Sequence, residues 1–482
     1  MLGFAPGRCR WHFFLALVLL LGISPSGANA DINPWVAANL YDAGKWDTAG
    51  PYTGTPWLHP PTWKPDQDWG VLGGEWRKSA NITGGWGGAR DELEKKGIAF
   101  ASAYFAQFAA NPLGGAKPGA ASYVGSLGTG FFLDLERFAG WKRGYFTTSF
   151  AYQVGTKSLS PAFIENEFWV QLTSSTSSNA TRLVHLALGQ QFWDNTAELV
   201  LGRIIPGDDF AFLRLACISL NQAVCGTPIT ASSNVSFRSY PFATWGARVK
   251  VKPASSWYAQ AGTYLAYDES IDARFHGAKF SAPVGSGALT MGEFGYLVGD
   301  YRRAPFGGGS SKEAERLTGL PGRYKIGGYY DSERVTNQET GNRVYGTWGI
   351  YALAEQMLYA ENDDYTKGLS VFLALSYSPP SRNLIKFMAA GGLSYQGLFR
   401  GRPFDALNVV ASYGRYSNAL ARGQRRAGEA VQDFELMLEI NYRLQVLPWL
   451  FVQPDIQGII HPGGLGSVPD ALVVGFGFGM TL

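Results

Sequence analysis

The sequence predicts an all-β fold, a transmembrane antiparallel β-barrel of sixteen strands with a short N-terminal helix and an irregular N-terminal extension. Three observations predict it. Apolar and polar residues alternate along many segments, charged residues are scarce, and glycine and aromatic residues are abundant. In a strand, successive side chains point to opposite faces, so a wall between lipid and water must read apolar, polar, apolar, polar. Residues 432–446 read this way: Phe434, Leu436, Leu438, Ile440, Tyr442, Leu444 and Val446 alternate with Asp433, Glu435, Glu439, Asn441, Arg443 and Gln445. A helix would scatter those charges over every side. Charged residues make up 16% of the chain, against about 25% for an ordinary soluble domain. The 61 glycines and the 14% aromatic content suit a crowded wall with interfacial girdles.

The first thirty residues read as an address. Arg8 and Arg10 form a charged region, Trp11 to Ile23 is an apolar run, and Ala28-Asn29-Ala30 is a small-x-small cleavage site. Export from the cytoplasm is expected. Removing residues 1–30 takes two positive charges away, so the formal net charge of +3 falls to +1. Residues 31–85 form a second region, rich in Trp, Pro and Gly and without alternation. Gly88 to Lys96 predicts a short helix ended by Gly97, and such a helix caps the periplasmic opening. The barrel region is 86–482.

Seventeen stretches alternate: 98–108, 128–138, 144–154, 164–172, 182–190, 198–204, 244–252, 256–267, 287–298, 322–330, 347–359, 369–377, 383–395, 405–413, 432–446, 449–461 and 471–482. Bacterial single-chain barrels have even strand numbers. The segment 164–172 is short and precedes a polar tract, so it is read as a loop and sixteen remain. The last stretch ends on an apolar residue, Leu482, as outer-membrane barrels do. Gly475, Gly477 and Gly479 alternate with large apolar residues there and read as small inward positions rather than as a phosphate loop.

Long polar connections fall at 205–243, 268–286, 299–321 and 414–431. Long loops of such barrels are extracellular, and one often folds inward. The segment 205–243 is expected to form the constriction. Cys217 and Cys225, eight apart in an oxidising compartment, are expected to close a disulfide that stiffens it. With so few ligands no metal site is expected, and no cofactor.

The parity of the alternation places Arg248, Lys250, Arg323, Lys325 and Lys386 inward as cations, and Asp134, Glu136, Glu435, Glu439 and Asp455 inward as acids. Opposed clusters would create a transverse field that orients polar solutes. Arg203, Asp208 and Asp209 stand at the start of the constriction loop, and Arg90 lies in the short helix. The pore candidates are therefore Arg90, Arg203, Asp208, Asp209, Arg248, Lys250, Glu435 and Asp455. His185 faces inward too, but no Ser-centred motif or metal-ligand spacing accompanies it, which disfavours an enzyme.

Trp86-Gly87-Gly88-x-Arg90 with Leu93 and Gly97-Ile98, and Asn111-Pro112-x-Gly114-Gly115, open a series of ordered motifs. Asp134-Leu135-Glu136 with Gly140-Trp141-Lys142 continues it, as do Gly202-Arg203 with Gly207-Asp208-Asp209-Phe210. Cys217, the run Asn221 to Cys225-Gly226, Gln453-Pro454-Asp455-x-Gln457 and His461-Pro462-Gly463-Gly464 complete it. With these motifs the chain resembles the OprB-type carbohydrate-selective porins. The resemblance covers about 86–482 and implies a sixteen-stranded barrel through which small carbohydrates diffuse passively, embedded in outer-membrane lipid as a single barrel or a homotrimer, with no nucleic-acid partner. A general or weakly anion-selective porin is the alternative; a plugged barrel and an outer-membrane enzyme rank below. One departure stands out. Ala187 and Gly189 occupy places where the family pattern carries an inward Trp and an inward polar side chain, which implies a wider pore or weaker sugar contact.

Overall fold

The computed structural model describes residues 81–482 except 173–179, 194–195, 214, 224, 226–228, 255, 268–271, 282, 284, 300–318, 362–366, 403 and 448. The address at 1–30 and the extension up to residue 80 lie outside the described residues.

Sixteen strands form the wall: β1 (Ile98–Leu113), β2 (Ala120–Asp134), β3 (Gly144–Gly155), β4 (Ala180–Phe192), β5 (Ala197–Ile204), β6 (Thr244–Ala254), β7 (Trp257–Ala266), β8 (Gly287–Val298), β9 (Gly322–Thr336), β10 (Arg343–Ala360), β11 (Gly368–Tyr377), β12 (Ile385–Gln396), β13 (Ala406–Tyr416), β14 (Phe434–Leu447), β15 (Leu450–Ile460) and β16 (Ala471–Thr481). Each pairs antiparallel with its neighbours in sequence, and β1 pairs with β16 to close the barrel. Closure leaves no open sheet edge, so pairing between strands takes up the backbone groups that hydrocarbon cannot. No helix among the described residues is long and apolar enough to cross a membrane; the chain crosses with strands.

The alternation sorts the two faces as the sequence predicts. Phe108, Phe150, Leu201, Val249, Ile326 and Ile350 stand exposed on the outside, where the solvent is lipid. Thr147, Ser149 and Gln153 of β3, and Glu435, Glu439 and Asn441 of β14, point inward and are buried. The inner glycines have a specific use: they make room for rings. A Cβ on Gly189 would stand 2.0 Å from the Tyr145 ring, one on Gly295 2.2 Å from Tyr258, and one on Gly327 2.3 Å from Tyr351. Inward aromatic rings lie flat against neighbouring strands only because those positions have no side chain.

The seam carries the helix α1 (Ala89–Lys95). Arg90 Nη2 donates to the Leu482 carbonyl at 3.3 Å and its guanidinium lies over the Trp86 ring at 4.6 Å. Ile82 N also donates to Thr481 O at 3.0 Å.

Three expectations are corrected. The second strand starts at Ala120, not 128, and stops at Asp134; residues Leu135–Ala139 form a short helix, α2. The Asp134 carboxylate caps α2 by accepting from Glu136 N at 3.0 Å and Arg137 N at 3.2 Å, while Glu136 accepts from Arg143 N at 3.1 Å. Both acids therefore serve a turn at the barrel's end and do not line the lumen. The connection 299–321 joins the end of β8 to the start of β9, so strand alternation puts it at the end opposite to 205–243, 268–286 and 414–431. Lys386 lies at a bulge of β12 between Ile385 and Phe387 and donates to Asn418 Oδ1 at 2.7 Å. It caps a rim instead of facing the lumen.

Candidate functional site

Two segments leave the wall and fold into the barrel. One follows β3 and includes the buried residues Leu159, Ile164, Phe168 and Val170. This is the stretch read as a loop at 164–172, and it is a loop. The other follows β5 and runs through α3 (Pro206–Asp209), a short turn at Leu215–Ile218 and α4 (Ile229–Asn234) before β6. The Cys217–Cys225 disulfide closes within it.

A loop inside a barrel has backbone N–H groups with no ladder to join, and a carboxylate on the wall needs donors; each answers the other. Glu435 of β14 accepts from Glu167 N at 3.0 Å, Phe168 N at 2.7 Å and Gly463 N at 2.6 Å. Glu439, two pleat repeats further along β14, accepts from Leu220 N at 2.8 Å, from Ser219 Oγ at 2.7 Å and from Asn221 Nδ2. Glu293 of β8 accepts from Ala211 N at 2.9 Å, Glu355 of β10 from Leu215 N at 3.1 Å, and Asp331 of β9 from Ser236 N at 2.8 Å. Wall donors hold the loop carbonyls in the same way: Lys325 Nζ reaches Phe212 O at 2.8 Å and Gln453 Nε2 reaches Ile218 O at 2.6 Å. Gln107 of β1 holds both segments, accepting from Leu172 N at 2.6 Å and donating to Leu220 O at 2.8 Å.

The root of the second segment gathers charge. Asp208 Oδ2 lies 2.8 Å from His185 Nε2, and His185 Nδ1 lies 2.7 Å from Ser149 Oγ. Asp209 Oδ1 lies 3.1 Å from Arg248 Nε, and Arg248 also pairs with Glu198, which accepts from Tyr145 OH at 3.0 Å. Burial pushes the carboxyls of Asp208 and Asp209 above the usual range, while His185 and Arg248 respectively pull them back. The Lys250 ammonium lies 4.4 Å from the centre of the Tyr258 ring. Arg203 Nε donates to Leu183 O at 3.4 Å.

Of the residues singled out from sequence, Asp208, Asp209, Arg248 and Lys250 come together at this root, and Arg203 stands at the end of β5 that leads into it. Glu435 and Asp455 lie across the barrel on β14 and β15, where Asp455 Oδ2 accepts from Gln457 Nε2 at 2.6 Å. Arg90 lies apart, at the seam. The inward group is correctly aimed but not water-facing: Arg203 and Glu435 are wholly buried, and Arg248 and Asp455 nearly so. They sit between wall and loop, so the open transverse field expected of them is largely neutralised by ion pairs and backbone N–H groups. Arg323 belongs to the same scheme, 3.4 Å from Glu355. Sequence reasoning missed Ser149, Glu198, Glu293 and Glu355 as partners. All four carry the inward parity that marked the others, and that parity was the available signal. Among the described residues no cluster of three or more His, Cys, Asp and Glu side chains is placed to hold a metal ion.

Gly189 corrects a further expectation. The space above it is filled by the Tyr145 ring from β3, which is buried, so the missing side chain does not widen the bore at that level. The inward segments carry half-buried aromatic residues of their own: Phe163, Trp169, Tyr240 and Phe242. Tyr240 OH lies 3.1 Å from Ser126 Oγ, and the Arg182 guanidinium lies over the Phe242 ring at 4.8 Å.

A closed barrel with a lipid-compatible outside and a polar interior narrowed by its own loops is an outer-membrane porin. The chain belongs to the carbohydrate-selective porins of the OprB family, whose sequence profile matches residues 119–482. It is 28% identical to Porin B of Pseudomonas aeruginosa over 425 residues, covering 82% of this chain and 89% of that one. Among solved structures it is similar to OprB of Pseudomonas putida at high pH, with a TM-score of 0.75 and 25% identity over 84% of this chain and 99% of that one. The low-pH structure of the same protein shares the fold at a TM-score of 0.53 and 20% identity, with 84% and 99% coverage. The chain is thus a sugar-selective porin of the Gram-negative outer membrane.

Proposed function

We propose that glucose-like mono- or oligosaccharides pass by diffusion between the two inward segments, which act as a fixed gauge rather than a moving gate, and that the chain carries no catalytic activity. The observation that carries this reading is the clamp: wall side chains on β1, β8, β9, β10 and β14 accept from backbone N–H groups of the segments. A gauge held on so many strands keeps its width under flow. Trp169, Tyr240 and Phe242 supply apolar faces for the pyranose ring that β4 lacks.

Planar-bilayer recording of the refolded protein tests this. Stepwise ohmic current that falls on addition of glucose or maltose supports it, and current indifferent to sugars overturns it. The alternative is a weakly anion-selective porin without sugar preference. A reversal potential displaced toward chloride, together with no sugar block, would establish that reading. Arg203 now stands as a loop-root residue, so Arg203→Ala should alter open-channel noise and sugar block together, whereas Lys252→Ala should alter neither. Cross-linking in native membranes separates a single barrel from a homotrimer.

A further inference from the structure

The outer wall carries a feature that diffusion through the bore does not use. Across β11–β15 the lipid-facing side is hollowed into a groove of about 590 Å³, lined almost entirely by apolar atoms. Gly391, Ala411 and Gly458 are its low points, Leu438 stands between Ala411 and Gly458, and Leu393 and Ile456 flank them. Cross-strand pairing puts Gly391 opposite Ala411, Ala411 opposite Leu438 and Leu438 opposite Gly458, so the hollow runs across the strands.

At the long-loop end, cations stand over β9–β13, overlapping the groove at β11–β13 and continuing beside it. Arg334 lies two residues before the end of β9, over the Tyr345 ring at 4.6 Å. Arg343 begins β10 and donates to Arg334 O at 2.6 Å. Arg382, in the β11–β12 turn, donates to the carbonyls of Tyr345 and Gly346. Lys386 occupies the β12 bulge, and Arg415 of β13 lies opposite Phe387. Asp433 takes up part of the Arg415 charge at 2.7 Å. By parity Arg415 shares the outer face with Tyr413 and Ala411, and four residues of strand place it about 13 Å from the groove floor. Five cations over five strands spread about 19 Å along the rim.

We propose that this face binds a phosphorylated, multiply acylated glycolipid of the outer leaflet, with its phosphates on the basic rim and an acyl chain in the groove. The long-loop end of such barrels faces outward, so the rim meets the outer leaflet. Clustered Arg and Lys at a membrane surface select anionic headgroups, and guanidinium matches phosphate geometry. The width of the rim exceeds the reach of one phosphodiester and suits a headgroup bearing two separated phosphates. The groove takes up a chain that a flat wall would leave in bulk lipid.

The test uses the full-length refolded protein in detergent, titrated with diphosphoryl lipid A, monophosphoryl lipid A and phosphatidylglycerol, with affinity read by thermophoresis and stoichiometry by native mass spectrometry. Diphosphoryl lipid A should saturate and bind tightest. Arg334→Gln with Arg415→Gln should weaken it roughly thirtyfold, the effect of two basic side chains near a charged surface. Gly458→Leu should weaken it independently, since a side chain there meets nothing within 4 Å of the protein and enters the groove. Heat-modifiable mobility and sugar block should stay as in the parent protein, which separates a folding defect from lost binding. Equal affinity for phosphatidylglycerol would make the occupant a phospholipid and overturn the glycolipid assignment. Absence of saturable binding, or variants that bind as the parent does, would overturn the site.

Discussion

Replacing Glu435 by alanine tests the clamp most directly. The substitution removes the acceptor for Glu167 N, Phe168 N and Gly463 N, and Glu435 and Phe168 are wholly buried. The Glu167 and Phe168 amides then lose their acceptor in the interior. An unsatisfied buried donor costs about 1–3 kcal/mol, so two destabilise the docked segment by roughly 2–6 kcal/mol. At about 1.4 kcal/mol per factor of ten, even the lower figure raises the undocked population roughly thirtyfold. Single-channel recording should show added current noise and sublevels, and a weaker maltose block. Glu435→Gln keeps one acceptor oxygen and should fall between the two. Glu429→Ala, on an exposed connection, should match the parent. A quiet Glu435→Ala channel with unchanged maltose block, in protein that retains heat-modifiable mobility, would refute the claim that this carboxylate holds the segment.

Gln107→Ala removes a side chain shared by both inward segments, so it should raise channel noise more than Ser126→Ala, measured in the same bilayers. Reducing the Cys217–Cys225 disulfide releases a loop of about nine residues, a constraint of about 3 kcal/mol in the unfolded chain. It should lower the thermal transition while leaving mean conductance nearly unchanged, because Glu355 and Glu439 still hold Leu215 and Leu220; a large fall in conductance would show that the disulfide alone shapes the bore. Gly189→Trp should abolish refolding, scored by gel mobility, because its Cβ would meet the Tyr145 ring. Adding Tyr145→Ala should restore the barrel and strengthen sugar block.

The sixteen strands were readable because lipid on one side and water or protein on the other impose a period of two on nearly every crossing. The reading slipped at β2 for a local reason. Ala120-Ala121-Ser122 and the glycines beyond are too small to mark a face, whereas Leu133-Asp134-Leu135-Glu136 alternates on paper and then turns into a capped helix. Lys386 slipped because a bulge shifts parity by one residue. For the site, parity gave direction only. It placed Glu435, Glu439 and Arg248 inside, but most of their partners are backbone amides and side chains 28 to 268 positions away, which no local pattern encodes. Hence charges expected to face water turned out to be covered by loop.

The seam has a kinetic consequence. Ala103 lies opposite Thr481, and Arg90 reaches Leu482 across 392 positions of sequence. Hairpins between sequence neighbours can zip as they emerge, but the ladder that ends the open sheet must wait for the final strand, and contacts of such long range form slowly. Until then β1 presents an unpaired edge, the kind of surface that recruits other chains. The cell must therefore shelter this edge during transit, and an aromatic-rich final strand with inward glycines gives it a flat, fast-docking partner on arrival.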